Sequence, residues 1–370
     1  MISEEKKIIR VGVMGTAAIA KKNALAISRS SRVELVGVAS RTMEKAEAWV
    51  KELGLSNIRC FEGYEALVNA NDVDAVYVPL PTTYHLEWVL KLARKKKNIL
   101  IEKPVGTTLA QVEEMIQVCR EQGVVIMDGT MFFHHPRFLA MKRFFDDKLH
   151  WHPKRVTSAF SFYGGNNFLD KGNIRTRKDA DPLGCLGDVG WYCIRIGLAA
   201  FRFETPSFVQ TRVHDQSDDG VLFDLDCDVF FSNDALLTFH CSFKHHLRSW
   251  FEAYSRDDRY GGRIIRCTDF VIPRREEYCD FSIEELPDQQ TIEYDTIVNT
   301  SHINLPFSLT QPQETLMWNS FAELILDNNA LERRAYYERA MLMTQQVLQA
   351  ALQSAQTGGA KVSVPPLTSV

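Results

Sequence analysis

The sequence predicts an α/β protein: an N-terminal Rossmann-like parallel sheet, then an α+β domain with a large, mainly antiparallel open sheet. Three observations carry this. Short β-type runs alternate with helix-period segments at the start, which implies right-handed βαβ crossovers and a sheet covered on both faces. A strand-rich stretch follows in which polar and apolar residues alternate, as in antiparallel strands with one covered face. The length, 370 residues, exceeds what one hydrophobic core usually organises.

Ile8 to Met14 is the first strand and Ile19 to Arg29 the first helix, followed by Val33 to Ala39 and Met43 to Leu53. The strand series continues with Val73 to Pro79, Asn98 to Glu102 and Val124 to Asp128. Helices over Tyr84 to Lys97 and Leu109 to Gln122 lie between them. The character changes around Thr130 to Pro136, where a helix over Phe138 to Phe145 begins the second part. Val156–Tyr163, Ser207–Val213, Leu222–Phe231, Ala235–Phe243 and Arg263–Ile272 read as extended. Glu314–Leu326 and Ala335–Ala355 read as closing helices, and the Gly-, Ser- and Pro-rich tail after Thr357 as loose. The expected domains are 1–131 and 132–370, the latter including the closing helices over 314–355.

Apolar residues make up 45% and charged residues 24%, ordinary values for a globular protein. A net charge of −4 argues against nucleic acid or an acidic membrane as partner. The basic run Lys95-Lys96-Lys97 ends a helical pattern, where cations suit the dipole. The eight cysteines show no C-x-x-C pair and lie mostly in apolar stretches, as reduced core residues do. Met1 to Arg10 is charged without an apolar signal core, and no segment approaches the roughly 18–20 apolar residues of a membrane span. A cytoplasmic location is the expectation. His134-His135 and His245-His246 are adjacent residues that point to opposite faces of an extended chain, so no metal site is expected.

Gly12-Val13-Met14-Gly15-Thr16-Ala17-Ala18-Ile19-Ala20 follows the first strand and opens the first helix. A tight turn of small residues lets backbone N–H groups and the helix N-terminus meet a pyrophosphate. Against G-x-G-x-x-G/A the match is Gly15, Ala17, Ala20, with alanine at the second position. At the end of the second strand, an acidic residue would favour NAD by bonding a ribose 2′-hydroxyl. The run here is Ser40-Arg41-Thr42, a guanidinium flanked by hydroxyls that suits a 2′-phosphate, so NADP is expected with NAD possible.

Glu102-Lys103-Pro104 sits at the carboxyl end of a predicted strand, where open α/β sheets place ligands. Proline keeps Lys103 extended, so its ammonium can project over a cleft. Further on, Gly187-Asp188-Val189-Gly190-Trp191-Tyr192 enters a helix on which Asp188 and Tyr192 share a face. A phenol ordinarily titrates near 10, and a neighbouring ammonium would bring it within reach of proton transfer. The same spacing fits a buried Tyr–Asp pair that serves only structure.

Together the small-residue turn, Glu102-Lys103-Pro104 and the Gly187–Tyr192 segment resemble the Gfo/Idh/MocA oxidoreductases over nearly the whole chain. Within that family, Tyr77-Val78-Pro79-Leu80-Pro81-Thr82 and Met127-Asp128-Gly129-Thr130 look like plant-type members, and next like dimeric dihydrodiol and NADP-dependent D-xylose dehydrogenases. The resemblance implies Lys103 as the lysine at the substrate oxygen and Asp188 with Tyr192 as the acid–base pair. Cofactor contacts are implied for Gly15, Thr16, Ala17, Ala18, Ile19, Ser40, Arg41, Thr42, Pro79, Leu80, Pro81, Glu102 and Lys103. His85 matches a position near the nicotinamide, and a helix-start histidine facing solvent or core fits equally. Met131-Phe132-Phe133 stands where dihydrodiol dehydrogenases show tryptophan, a departure that puts that substrate in doubt. Arg175 and Arg177, shortly before the Asp188 segment, fit an acidic or polyhydroxylated substrate or, as surface arginines more commonly do, plain solvent. The implied function is hydride transfer to or from a sugar, polyol or dihydrodiol-type substrate in a homodimer or higher homo-oligomer. A cofactor-sensing regulatory protein and an oxidoreductase with non-exchanging cofactor are the alternatives.

Overall fold

The computed structural model describes residues 7–169, 173–232, 234–257, 261–275, 279–286, 301–307 and 310–367. They fall into two compact units, one of Met1–His134 with Gln311–Leu342, the other of His135–Thr310 with Met343–Ser369.

In chain order the first unit runs β1 (Ile9–Met14), α1 (Ala18–Ile27), β2 (Val33–Ser40), α2 (Met43–Glu52), β3 (Arg59–Glu62) and α3 (Tyr64–Val68). It continues with β4 (Ala75–Val78), α4 (His85–Arg94), β5 (Asn98–Ile101), α5 (Leu109–Gln122) and β6 (Ile126–Asp128). The strands pair in parallel in the order β3-β2-β1-β4-β5-β6. Strands buried on both faces need continuous apolar runs, and all four residues of β4 are buried. The chain reverses direction of winding between β1 and β4, so the crevice at their carboxyl ends is where such a sheet binds ligands. Caps set the helix ends. Thr108 accepts from Gln111 N–H at the start of α5, and Gly123 with φ +68° closes it, which is why the boundaries expected for α5 and those observed coincide.

The second unit begins with α6 (Pro136–Asp146) and β7 (Pro153–Tyr163), then α7 (Trp191–Ala200), β8 (Phe208–Gln216), β9 (Leu222–Phe230) and β10 (Leu236–Ser242). After β11 (Lys244–Asp257), β12 (Gly261–Cys267), β13 (Cys279–Leu286) and β14 (Ser301–Phe307), the chain closes with α8 (Gln313–Leu326), α9 (Leu331–Gln356) and β15 (Val362–Ser363). Among the described residues its sheet runs β14-β13-β12-β11-β7-β10-β9-β8-β15, and only β7 and β10 pair in parallel. α7 is buried along its whole length against one face. Gly197 permits this, since a Cβ there would lie 2.4 Å from Leu237 Cδ2. On β10, Leu237, Phe239 and Cys241 turn to α7, while Thr238 and His240 occupy the opposite, partly open face.

Several expectations are corrected. The helices expected to close the second domain divide: α8 packs on α1 in the first unit through Trp318 and Phe321. The segment 59–68 holds β3 and α3, elements too short for a periodic signal. β11, β13 and β14 were likewise outside the expected strands, and Arg263–Ile272 is a strand only to Cys267. Beyond Cys267 the chain is drawn inward, because buried Arg137 bonds Asp269 by its carboxylate at 2.6 Å and its carbonyl at 2.7 Å. The tail is ordered through Ser363, where β15 pairs with β8. Lys97 is buried, its ammonium donating to the carbonyls of Ala70 and Val73 at 2.5 and 2.6 Å, rather than solvated at a helix end. None of the eight cysteines forms a disulfide, and all but Cys60 are buried.

His135 caps α6, its Nδ1 accepting from Arg137 N–H at 2.9 Å, so the ring proton sits on Nε2. Burial, aided by the Arg137 charge, pushes this imidazole down from 6.5 to about 4. The unfolded chain therefore binds a proton that the folded chain resists. The stability at stake is whole above pH 6.5 and drains as pH falls toward about 4. Thermal melts should lose up to about 3 kcal/mol across that window, and His135→Asn, a non-titrating cap, should flatten the slope. Identical slopes for the two proteins would remove His135 from the account.

Candidate active site

The turn after β1 is built on Gly15, whose φ of +102° is a conformation that side chains with a Cβ rarely adopt. A Cβ there would also stand 3.3 Å from Leu80 Cδ2 and 3.6 Å from Tyr64 Oη. The Gly15 N–H is spent on the Ala39 carbonyl at 2.8 Å, which pins the turn to β2. Thr16, Ala17, Ala18 and Ile19 follow into α1. Ala17 caps that helix without a side-chain hydrogen bond, and no acidic residue lies in its first turn. The first N–H donors of α1 are thus left for an external anion, and the positive helix end is not neutralised. This is what a dinucleotide pyrophosphate requires.

At the end of β2, Ser40 is buried and Arg41 is exposed. Thr42 is engaged as the N-cap of α2, its Oγ1 accepting from Lys45 N–H at 3.4 Å, so Arg41 is the group free to meet a phosphate. Tyr64 completes this corner. Burial pushes its phenol up, Arg41 offsets part of that, and its ring sits edge-on to Trp88 at 5.3 Å. Single-sequence reasoning passed over Tyr64 because α3 carried no periodic signal.

The carboxyl ends of β4 and β5 are joined by buried polar groups. After β4 come Pro79, Leu80 and Pro81, and His85 opens α4. Its ring nitrogens meet the Val105 carbonyl at 3.0 Å and the Leu80 carbonyl at 2.9 Å. Burial pushes the imidazole down, and a neutral ring has one N–H, so it donates to one of these carbonyls and packs against the other. His85 therefore ties the loop after β4 to the loop after β5. Glu102, at the mouth of β5, ends a chain of hydrogen bonds. Trp318 Nε1 on α8 donates to Asn23 Oδ1 at 2.9 Å, and Asn23 Nδ2 donates to Tyr77 Oη at 2.8 Å. Tyr77 donates in turn to Glu102 Oε1, while Lys103 N–H meets Oε2 at 3.3 Å. Lys103 is half-buried, and its peptide to Pro104 is cis.

Asp188 and Tyr192 lie in the second unit. A π-helical turn over Leu186–Gly190 leads into α7, so both sit on consecutive turns and both are buried. Arg175 reaches Asp188 Oδ2 with Nε at 3.0 Å, and this charge pairing raises the guanidinium above its ordinary value. Tyr192 packs on Phe160 at 5.5 Å between ring centroids. Arg177 instead pairs with Asp179 on the surface. Of the two arginines, the structure brings only Arg175 to the Asp188 segment.

The first unit is a dinucleotide-binding Rossmann fold. Residues 9–130 match the model of the GFO_IDH_MocA oxidoreductase family, described as an NAD-binding Rossmann fold. A dTDP-3,4-didehydro-2,6-dideoxy-α-D-glucose 3-reductase from Actinomadura kijaniata is 36% identical over 50% of this chain and 54% of that protein. D-xylose 1-dehydrogenase (NADP(+)) 2 from Haloferax volcanii is 32% identical over 57% of this chain and 62% of that protein. The chain thus spans only about half the length of the first of these relatives and under two thirds of the second. The fold extends further: a crystal structure of a 3-ketoreductase from Actinomadura kijaniata with NADP and TDP-benzene superposes with a TM-score of 0.77. It is 24% identical, over 94% of this chain and 98% of that one.

Tyr77→Phe should test the buried chain. It takes one donor from half-buried Glu102 and one acceptor from buried Asn23, and a lost partner in the interior costs about 1–3 kcal/mol, read as a lowered midpoint in denaturant. A midpoint equal to wild type would show that the phenol carries no weight.

Proposed function

We propose that the chain is an NAD(P)-dependent oxidoreductase, with NADP preferred, that moves hydride to or from a ring or chain carbon of a sugar, polyol or dihydrodiol-type substrate. The observation that carries it is the Gly15 turn feeding an uncapped α1 at the switch point of the sheet, with Arg41 exposed at the end of β2. The names of the relatives, a nucleotide-sugar 3-reductase and a sugar dehydrogenase, support a carbohydrate carbon.

The nicotinamide, when bound, supplies or accepts the hydride at the substrate carbon. The chain has the remaining work: to hold the substrate oxygen and to move one proton. Lys103, from the mouth of β5, is assigned the oxygen, where an ammonium stabilises developing alkoxide charge. Tyr192 is assigned the proton, passing it to the oxygen in reduction and taking it in oxidation. Asp188, paired with Arg175, orients that helix start. Self-association into a homodimer through the sheet face away from α7 belongs to the same reading, and a monomer in sedimentation at micromolar concentration would exclude it.

Absorbance at the reduced-nicotinamide band, over aldoses, inositols, dihydrodiols and nucleotide-linked keto-sugars, tests the proposal. Turnover should favour NADP over NAD, and Arg41→Ala should cost at least about tenfold in kcat/KM for NADP alone. Lys103→Ala and Tyr192→Phe should each lower kcat by about 10²-fold or more with cofactor still bound. Unchanged turnover in Lys103→Ala would sink the mechanism. Cofactor binding without turnover on any class would instead mark a sensor.

A further inference from the structure

Asp224 on β9, His240 on β10 and His245 at the start of β11 converge, although 16 residues separate the first pair in sequence. The strands explain how. Asp224 and His240 lie on the face of the sheet away from α7, one step apart diagonally, since His240 pairs with Asp226 and Ser242 with Asp224. His245 arrives by a bulge. Pairing with β7 steps from Lys244↔Tyr163 to Arg248↔Ser161, so four steps on β11 span two on β7. The extra length turns His245 back onto Asp224.

His240 Nε2 lies 2.9 Å from Asp224 Oδ1, and His245 Nε2 lies 3.1 Å from Oδ2. The two rings stand 5.3 Å apart between centroids. Burial pushes the Asp224 carboxyl up, but the hydrogen bonds from both imidazoles outweigh it and hold the group below the ordinary carboxylate range. Two imidazoles aimed at a buried carboxylate give one oxygen and two nitrogen ligand atoms, all within 4.8 Å of one another. Tetrahedral zinc asks for ligand atoms about 3.3 Å apart, at bonds of about 2.0–2.2 Å. A modest ring rotation closes that gap, and the His245 side chain, 56% exposed, is free to make it.

We propose that Asp224, His240 and His245 bind a divalent late first-row metal ion, zinc first, clipping β9, β10 and the bulge of β11 together. Each imidazole then gives up the Nε2 proton it donates to Asp224, offers that lone pair to the metal and carries its remaining proton on Nδ1. The fourth position is open to water or an exchangeable ligand. Imidazole ligands favour zinc, nickel and copper over magnesium and calcium. Neither adjacent histidine pair chelates as a pair: His245 joins the site without His246. His134 stacks on Tyr337 and His135 caps α6.

The test is calorimetric titration of the full, chelator-stripped chain with zinc and separately with magnesium. Wild type should bind one zinc equivalent, and His245→Gln should weaken that binding more than about tenfold. Because the His245 side chain is half exposed, the metal-free melting temperature should not move. In case the single variant finds another donor, His240→Gln/His245→Gln should abolish the saturable heat. Zinc binding of equal affinity in the double variant, no saturable binding by wild type, or magnesium binding as tight as zinc would overturn the proposal.

Discussion

A carboxylate at the mouth of a parallel sheet must be held against burial, and Glu102 is held by a chain of donors that starts at Trp318. The chain crosses four elements of the first unit: α8, α1, β4 and the end of β5. Each link gives a buried or half-buried group one of its partners, so loss of one costs more than the bond itself. Its product is position. Lys103 follows Glu102 directly, and its backbone N–H returns to the same carboxylate. His85 adds a second tie, its ring lying between the carbonyls of Leu80 and Val105 on either side of that position and donating to one of them. A lysine meant to meet an oxygen gains most when its backbone is fixed before the substrate arrives.

The nucleotide turn rests on a different constraint, the absence of a side chain. Gly15 has a backbone that other residues strain to adopt and sits within contact of Leu80 and Tyr64. Beyond it, α1 begins without a capping side chain or an acid, a deficiency in a helix built only for stability. Local cost at that point marks the place where an anion is expected. Arg41 adds fixed positive charge at the end of the neighbouring strand, whereas Thr42, which looked equally available, is consumed in starting α2.

How much of this was legible in the chain follows from the range of each interaction. α5 was readable to the residue, because Thr108 and Gly123 are local signals. The order of strands in the first unit was readable because apolar runs must alternate with helices. β3 with α3 was not, since elements of four and five residues carry no period. β11 was hidden by the bulge over 245–247, which breaks alternation. Lys103 and Gly15 could be placed from their position at strand ends. Arg175 could not be tied to Asp188, because the pairing depends on a turn whose path no local rule sets. Asn23 and Tyr77, 54 residues apart, meet only once the sheet has formed.

The most direct test of the account is calorimetric titration with NADPH of the wild-type chain and of Gly15→Val. The central claim is that the turn after β1 and the bare start of α1 hold the dinucleotide. It predicts one equivalent bound by wild type and a loss of at least tenfold, about 1.4 kcal/mol, in the variant, titrated well below the lowered melting temperature that valine at this φ brings. Equal affinity in the two proteins, or no binding by wild type, would contradict it.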